Sequence, residues 1–214
     1  MERIRLLLFN EQVLPLEALA RVLGADADFE VLAQCRTGAE VLEAFTQSPA
    51  DVIVVTLDPS KPAGYDLLGA LEASREPSRV LVVSDDLSAD QALRVLQLGA
   101  SGILRQHGGV ADLIKALRMV AAGEAWLDQK MMRLLADNAL WPGAKKFRQQ
   151  LTEREQLVLR GVLDGLTNRR IADRLGTPEG AVKATLRRMF RKAGVRTRGQ
   201  LIRAALDHSY GSGQ

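Results

Sequence analysis

Through the first 120 residues the hydrophobic positions switch repeatedly between two periods. Short apolar runs at IRLLLF (4–9), FEVLAQC (29–35), DVIVVTL (51–57), RVLVVS (79–84) and SGILR (101–105) predict β-strands. Between them the apolar positions recur at three and four residues. In 88–98, for instance, Ala92, Leu93, Val95 and Leu96 form one stripe. That period predicts helices near 14–23, 38–47, 65–74, 88–98 and 109–122. Five strands alternating with five helices call for right-handed crossovers and hence a (βα)5, doubly wound parallel sheet. VIVV and VLVV, apolar on both faces, belong in its interior.

From residue 123 the pattern weakens. GEAWLDQKMMRLLADNALWPGAKKFRQQ predicts one helix near 128–139, a Trp-Pro-Gly stop and a basic connector, so 123–150 reads as a linker after a domain over 1–122. Residues 151–214 predict a second, all-α domain of four short helices with clear start signals. Thr152 with Glu155 and Thr197 with Gln200 are capping boxes. Thr167 caps a helix through Leu175, and Thr177 precedes Pro178, a favoured first helical residue. Gly176 and Gly194 are placed to end the second and third helices.

A chain of 214 residues has room for these two modest domains, and 47% hydrophobic with 26% charged residues is an ordinary soluble composition. The apolar runs fall far short of the ~20 residues that span a bilayer. MERIRLLLFNEQ lacks the features of a signal peptide, and Cys35, the single cysteine, excludes an internal disulfide. These observations point to the cytoplasm. Charge changes the picture more. Residues 1–144 carry 13 Lys+Arg against 20 Asp+Glu, a net −7, whereas 145–214 carry 16 against 6, a net +10. An acidic domain joined to a short basic one implies that the basic one meets a polyanion.

On a helical wheel of TPEGAVKATLRRMFRKAGV, Val182, Leu186, Met189, Phe190 and Ala193 share a core face, and Lys183, Ala184, Arg187, Arg188 and Arg191 occupy the opposite arc. TNRRIADRL precedes it through a tight Gly-Thr-Pro turn. Two short helices so joined, the second basic outside, form a helix-turn-helix whose second helix enters the major groove of double-stranded DNA. The stretch LTEREQLVLRGVLDGLTNRRIADRLGTPEGAVKATLRRMFRKAGVRTRGQLI resembles the DNA-binding domain of the LuxR/NarL/FixJ family of bacterial regulators. GASGIL (99–104) and AAGEAWL (121–127) resemble the receiver domain that this family usually carries. The resemblance implies that Lys183 and Arg187 reach base edges and that Ala184 makes a small apolar base contact. It places Thr167, Asn168, Arg169, Arg188 and Arg191 at phosphates. It also implies a homodimer on a pseudo-palindromic site, with the last helix, carrying Leu201, Ile202, Ala205 and Leu206, pairing subunits or closing the monomer's core.

A working receiver needs two acids after its first strand, an aspartate at the tip of the third, a hydroxyl after the fourth and a lysine after the fifth. At the matching positions this chain has Asn10 and Glu11, Thr56, Ser84 and Gln106. In the family the acceptor lies five residues after the acid that opens the strand and eight before the next loop's glycine. Asp51 and Gly64 both then select Thr56, while the family's spacing to proline, measured back from Pro62, selects Asp58. With Thr56 at the tip, the pocket keeps one formal negative charge, too little to favour Mg²⁺ strongly over water. Ile103 stands where many receivers have an aromatic switch residue.

Enzyme chemistry has little to stand on. His107 and His208 have no metal-ligand spacing, and RQHGGV is neither a Walker loop nor a dinucleotide fingerprint. A branch of the family binds cyclic-di-GMP through Trp-apolar-Ser/Thr-Arg, but Trp126-Leu127-Asp128-Gln129 lacks the hydroxyl and the arginine. The sequence therefore predicts a dimeric DNA-binding transcription regulator without metal or cofactor, whose receiver works unphosphorylated. A second reading has the pseudo-receiver capture a protein partner or small ligand, with DNA binding secondary.

Overall fold

The computed structural model describes residues 3–74, 79–85, 87–105, 109–127, 131 and 150–206. It divides into two compact units, Met1–Trp126 and Leu127–Gln214. The first unit is built on the strands β1 (Ile4–Phe9), β2 (Phe29–Cys35), β3 (Val52–Thr56), β4 (Arg79–Val83) and β5 (Ala100–Leu104). They alternate with the helices α1 (Val13–Gly24), α2 (Gly38–Gln47), α3 (Pro62–Ser74), α4 (Ala89–Gln97) and α5 (Val110–Ala121). The sheet order is β2-β1-β3-β4-β5-β6, and β1 to β5 pair in parallel. The short sixth strand, β6 (Trp126–Leu127), was not expected. Gly102 of β5 makes room for it: a Cβ there would lie 3.0 Å from Trp126.

Strand alternation distributes the core over both faces. Leu6, Leu8, Val52, Val54 and Leu81 join Leu16, Ala20 and Leu23 of α1 and Leu113, Ala116, Leu117 and Val120 of α5 in one cluster. The intervening Leu7, Phe9, Ile53, Val55 and Val82 are equally buried, on the face where α2 packs against β1 and α4 against β5. Helix α3 begins at Pro62, three residues before its expected start. A proline in the first turn removes an N–H that has no intrahelical acceptor anyway. The predicted helix near 128–139 lies outside the described residues apart from Met131, which is helical and buried.

The second unit carries α6 (Glu153–Leu163), α7 (Asn168–Leu175), α8 (Glu179–Ala193) and α9 (Arg198–Leu206). Thr152 and Glu155 form the expected capping box, and Thr197 and Gln200 exchange the same two hydrogen bonds. Gly176 and Gly194 end α7 and α8 in the left-handed conformation, at φ 60° and 64°. Helix α8 begins one residue later than expected, because Pro178 is extended (ψ 145°) and serves as its cap. Gly161 lets α6 close on α7, since a Cβ there would meet Ile171 at 2.7 Å. Among the described residues no helix is long and apolar enough to cross a membrane.

Candidate nucleic-acid interface and strand-tip pocket

The second unit's basic face is made by what α8 buries. Val182, Leu186, Met189 and Ala193 are buried, and Phe190 is half-buried. This fixes the helix's rotation and leaves Lys183, Ala184, Arg187, Arg188 and Arg191 exposed together on the other arc. Thr185, which the wheel reading passed over, is buried. Its hydroxyl donates to the Ala181 carbonyl at 2.9 Å and accepts from Arg188 Nη2 at 3.0 Å. Lys183 Nζ lies 2.7 Å from Glu179 Oε1, one turn back.

At the start of α7 the Thr167 hydroxyl accepts from the Arg170 amide at 3.2 Å, and Arg169 and Arg170 project outward. Asn168, expected at a phosphate, is only 3% exposed, and its Oδ1 accepts from Arg198 Nη1 at 2.7 Å, which ties its carboxamide oxygen inside the domain. Arg198, itself buried, also donates to the Leu166 carbonyl. A guanidinium in the first turn of a helix opposes the helix dipole, and that was the one sequence signal of an interior role.

An ion pair between a half-exposed lysine and a buried carboxylate joins α6 to α8: Lys192 Nζ lies 2.6 Å from Glu155 Oε2, which also accepts from the Thr152 amide. Burial pushes the Glu155 carboxyl up, but hydrogen bonds from Lys192 and Thr152 outweigh it and hold it below its ordinary value. Leu201, Ile202 and Ala205 of α9 are buried, so they close the core rather than stand open as a subunit surface.

In the first unit, the carboxyl ends of β1, β3 and β4 converge, as open α/β sheets require of their ligand crevice. The crevice is a cavity of about 260 Å³ whose lining includes Asn10, Glu11, Thr56, Asp58, Lys61 and Asp85. Thr56 is the last residue of β3, paired with Val83, and it sits at the cavity wall. Asp58 lies two residues further on, in the loop. Its Oδ1 accepts from the Ser60 amide at 3.0 Å and the Ser60 hydroxyl at 2.6 Å. Those bonds first, with the Lys61 ammonium beside them, hold the Asp58 carboxyl below its ordinary value.

Lys61 is the residue that sequence reasoning missed. Its Nζ stands 3.7 Å from Glu11 Oε2 and 3.7 Å from Asp58 Oδ2, bridging the β1–α1 and β3–α3 loops. Among the described lining residues, Glu11, Asp58 and Asp85 against Lys61 give three carboxylates and one ammonium. The single formal charge expected from Asn10, Glu11 and Thr56 is thereby corrected. Asn10 is buried and its Oδ1 accepts from the Gln12 amide at 2.9 Å. Ser84 is buried too, its hydroxyl donating to the Leu57 carbonyl at 2.8 Å. Gln106 and His107 lie outside the described residues. Receivers imply Mg²⁺ here, and the donors do not fit it: Lys61 stands between two of the carboxylates, and no three metal-binding side chains converge among the described residues.

Comparison with known proteins agrees with this layout. Residues 6–118 match the response regulator receiver domain, and residues 149–205 match the bacterial regulatory proteins of the luxR family. The chain is 28% identical over 202 residues to a nitrate/nitrite response regulator protein homolog of Haemophilus influenzae, covering 92% of this chain and 93% of that one. It is 27% identical over 200 residues to the DNA-binding transcriptional activator DevR/DosR of Mycobacterium tuberculosis, covering 92% and 91%. Among solved structures, the response regulator ChrA of a heme-sensing two-component system superposes with a TM-score of 0.51 at 25% identity, covering 96% of this chain and 97% of that one. RcsB of Salmonella enterica serovar Typhimurium, solved bound to promoter DNA, shares the fold with a TM-score of 0.54 at 18% identity, covering 95% and 98%. A receiver domain followed by a luxR-family helical domain is thus what both halves share with known regulators, and the chain belongs to the LuxR-family response regulators, DNA-binding regulators of transcription.

Proposed function

We propose that this regulator binds specific DNA sites as a dimer and that its receiver works without aspartyl phosphorylation. One observation carries the second half: a threonine ends β3 where a phosphoacceptor would stand, in a pocket already bridged by the Lys61 ammonium. Phosphoryl transfer to a receiver needs a carboxylate nucleophile, a metal to gather charge and a cation to hold the product oxygens. Thr56 offers a hydroxyl with no base bonded to it among the described residues, and such a hydroxyl is a poor nucleophile. Asn10 replaces a metal-binding acid and Gln106 replaces the lysine. Ser84 donates its hydroxyl to the Leu57 carbonyl and is thereby tied to the β3–α3 loop.

For the DNA half, the exposed arc of Lys183, Ala184, Arg187, Arg188 and Arg191 supports major-groove entry, and the position of Thr167 and Arg169 at the start of α7 supports phosphate contacts there. For the dimer, α1 supports a subunit contact, since Val13, Leu14 and Val22 account for three of the five exposed large hydrophobic residues among the described ones and Leu14 is 77% exposed.

The test is to treat the full chain with acetyl phosphate and Mg²⁺ and separately with beryllofluoride. Intact mass, oligomeric state and affinity for a site found by genomic footprinting are then compared. The expected result is no acid-labile phosphoryl group and no change in assembly or affinity. A phosphoryl group on Asp58, abolished by Asp58→Asn, would overturn the phosphorylation-independent reading. Absence of any enriched genomic site would overturn the DNA reading.

A further inference from the structure

Glu179 is the one acid on the groove-facing side of α8. It stands in the helix's first turn, and its Oε1 holds Lys183 Nζ at 2.7 Å, with both side chains substantially exposed. Beside it Gly180 is exposed, and a Cβ there would meet nothing within 4 Å, so this end of the helix is open for close approach. First-turn residues of a recognition helix contact base edges in the major groove. A carboxylate among them behaves unlike its basic neighbours. It is repelled by every phosphate, and it can accept a hydrogen bond only where the groove presents an exocyclic amino group, foremost cytosine N4. In free protein the same carboxylate occupies the Lys183 ammonium, which would otherwise be available to any phosphate.

We infer that Glu179 is a specificity-determining residue, accepting from a cytosine amino group beside the guanine that Lys183 reads and weakening attachment to all other sequences. The inference rests on the DNA-binding reading above and deepens it. The (i, i+4) spacing puts the two side chains about one turn apart on one helix face, about 6 Å along the axis, so they address neighbouring or opposed bases rather than one atom. Lys183 supplies donors and Glu179 an acceptor, so a step with guanine at one side chain and a cytosine amino group at the other satisfies both, while a guanine or thymine facing Glu179 presents only acceptors and leaves the carboxylate desolvated and unpaired. Discrimination of this kind works through a penalty on wrong partners as much as through attraction to the right one.

The experiment is selection of DNA from a randomised library by the full chain, with wild type, Glu179→Ala, Glu179→Gln and Arg187→Ala compared. Direct titrations on random duplex accompany it, and thermal melts verify folding. Wild type is expected to enrich cytosine at one position next to a conserved guanine. Glu179→Ala should lose that single preference, keep the one assigned to Arg187, and bind random duplex about fivefold more tightly at low salt. Glu179→Gln keeps an acceptor oxygen without the charge, so it should gain random-DNA affinity while retaining part of the cytosine preference. Unaltered library profiles and random-DNA affinity in Glu179→Ala, in a protein whose Arg187→Ala variant does shift the profile, would overturn this inference and leave DNA recognition intact. A wild type that enriches no sequence would overturn the DNA reading itself, and this inference with it.

Discussion

Arg187 and Arg188 are one position apart, and that single step separates what each is expected to read. Arg187 is exposed with no hydrogen bond or ion pair to any described residue, whereas the Arg188 guanidinium is tethered to the Thr185 hydroxyl on the flank of the helix. Arg187→Ala is therefore expected to cost about 1–3 kcal/mol at the cognate site and to relax preference at one base pair. Arg188→Ala should weaken cognate and random DNA alike and lower the slope of log affinity against log salt by about 1. Equal effects of the two on cognate and random duplex would contradict the assignment. Asn168 makes a different case. If its carboxamide positions Arg198, Asn168→Ala leaves a buried guanidinium short of an acceptor and destabilises the domain by roughly 2–3 kcal/mol. A direct phosphate contact would instead lower the salt slope with no change in melting temperature, so a thermal melt beside a salt titration separates the two.

The elements follow from local rules, and the same rules show where sequence reading stops. Glu155 is legible as a capping partner of Thr152, three residues away, but its ion pair with Lys192 spans 37 residues and no local pattern announces it. Its consequence is a pH dependence whose sign is fixed. The folded-state carboxyl titrates below its ordinary value near 4.5, so the stabilisation is fully present above that value and is lost as pH falls through the folded value. The melting temperature of wild type should accordingly drop below about pH 4.5 more steeply than that of Glu155→Gln. At neutral pH the variant should be less stable by roughly 1–2 kcal/mol, because a buried charged acceptor that holds the Thr152 amide and the half-exposed Lys192 is lost. Parallel melts of the two across acid pH decide it. The five strands and five helices of the sheet were readable because period 2 and period 3.6 are properties of neighbouring residues, and α8's exposed arc was readable for the same reason. Lys61 meeting Glu11, Ser84 meeting the Leu57 carbonyl and Arg198 meeting Asn168 depend on how separate segments converge, which periodicity does not encode. Helix α1 lies between these cases: its inward residues Leu16, Ala20 and Leu23 fit the helical stripe, while Val13, Leu14 and Val22 are apolar without a place in the core. If they meet a second copy, Leu14→Glu should raise the monomer fraction in sedimentation experiments while leaving the melting temperature nearly unchanged. An unaltered monomer–dimer balance would remove α1 from the interface.

At the scale of the whole molecule the dominant fact is the division of charge, −7 over residues 1–144 and +10 over 145–214. DNA association begins with the long-range field of the protein, and counterion release on phosphate contact then supplies the sequence-independent affinity. A receiver that carries net negative charge subtracts from that field on every approach to a polyanion, whatever sequence is presented. The specific contacts of α8 are short-ranged and are spared this cost, so the acidic half lowers random binding more than it lowers recognition. The isolated 145–214 fragment is thus expected to bind random duplex more tightly than the full chain at low ionic strength. The difference should shrink as the screening length contracts to about 8 Å near physiological salt. Loss of a receiver-mediated dimer would act in the opposite direction, so the comparison is made on duplexes too short for two subunits, where only one can bind. Equal or weaker binding by the fragment on such duplexes, across the whole salt range, would show that the receiver's charge has no part in setting the ratio of specific to random affinity.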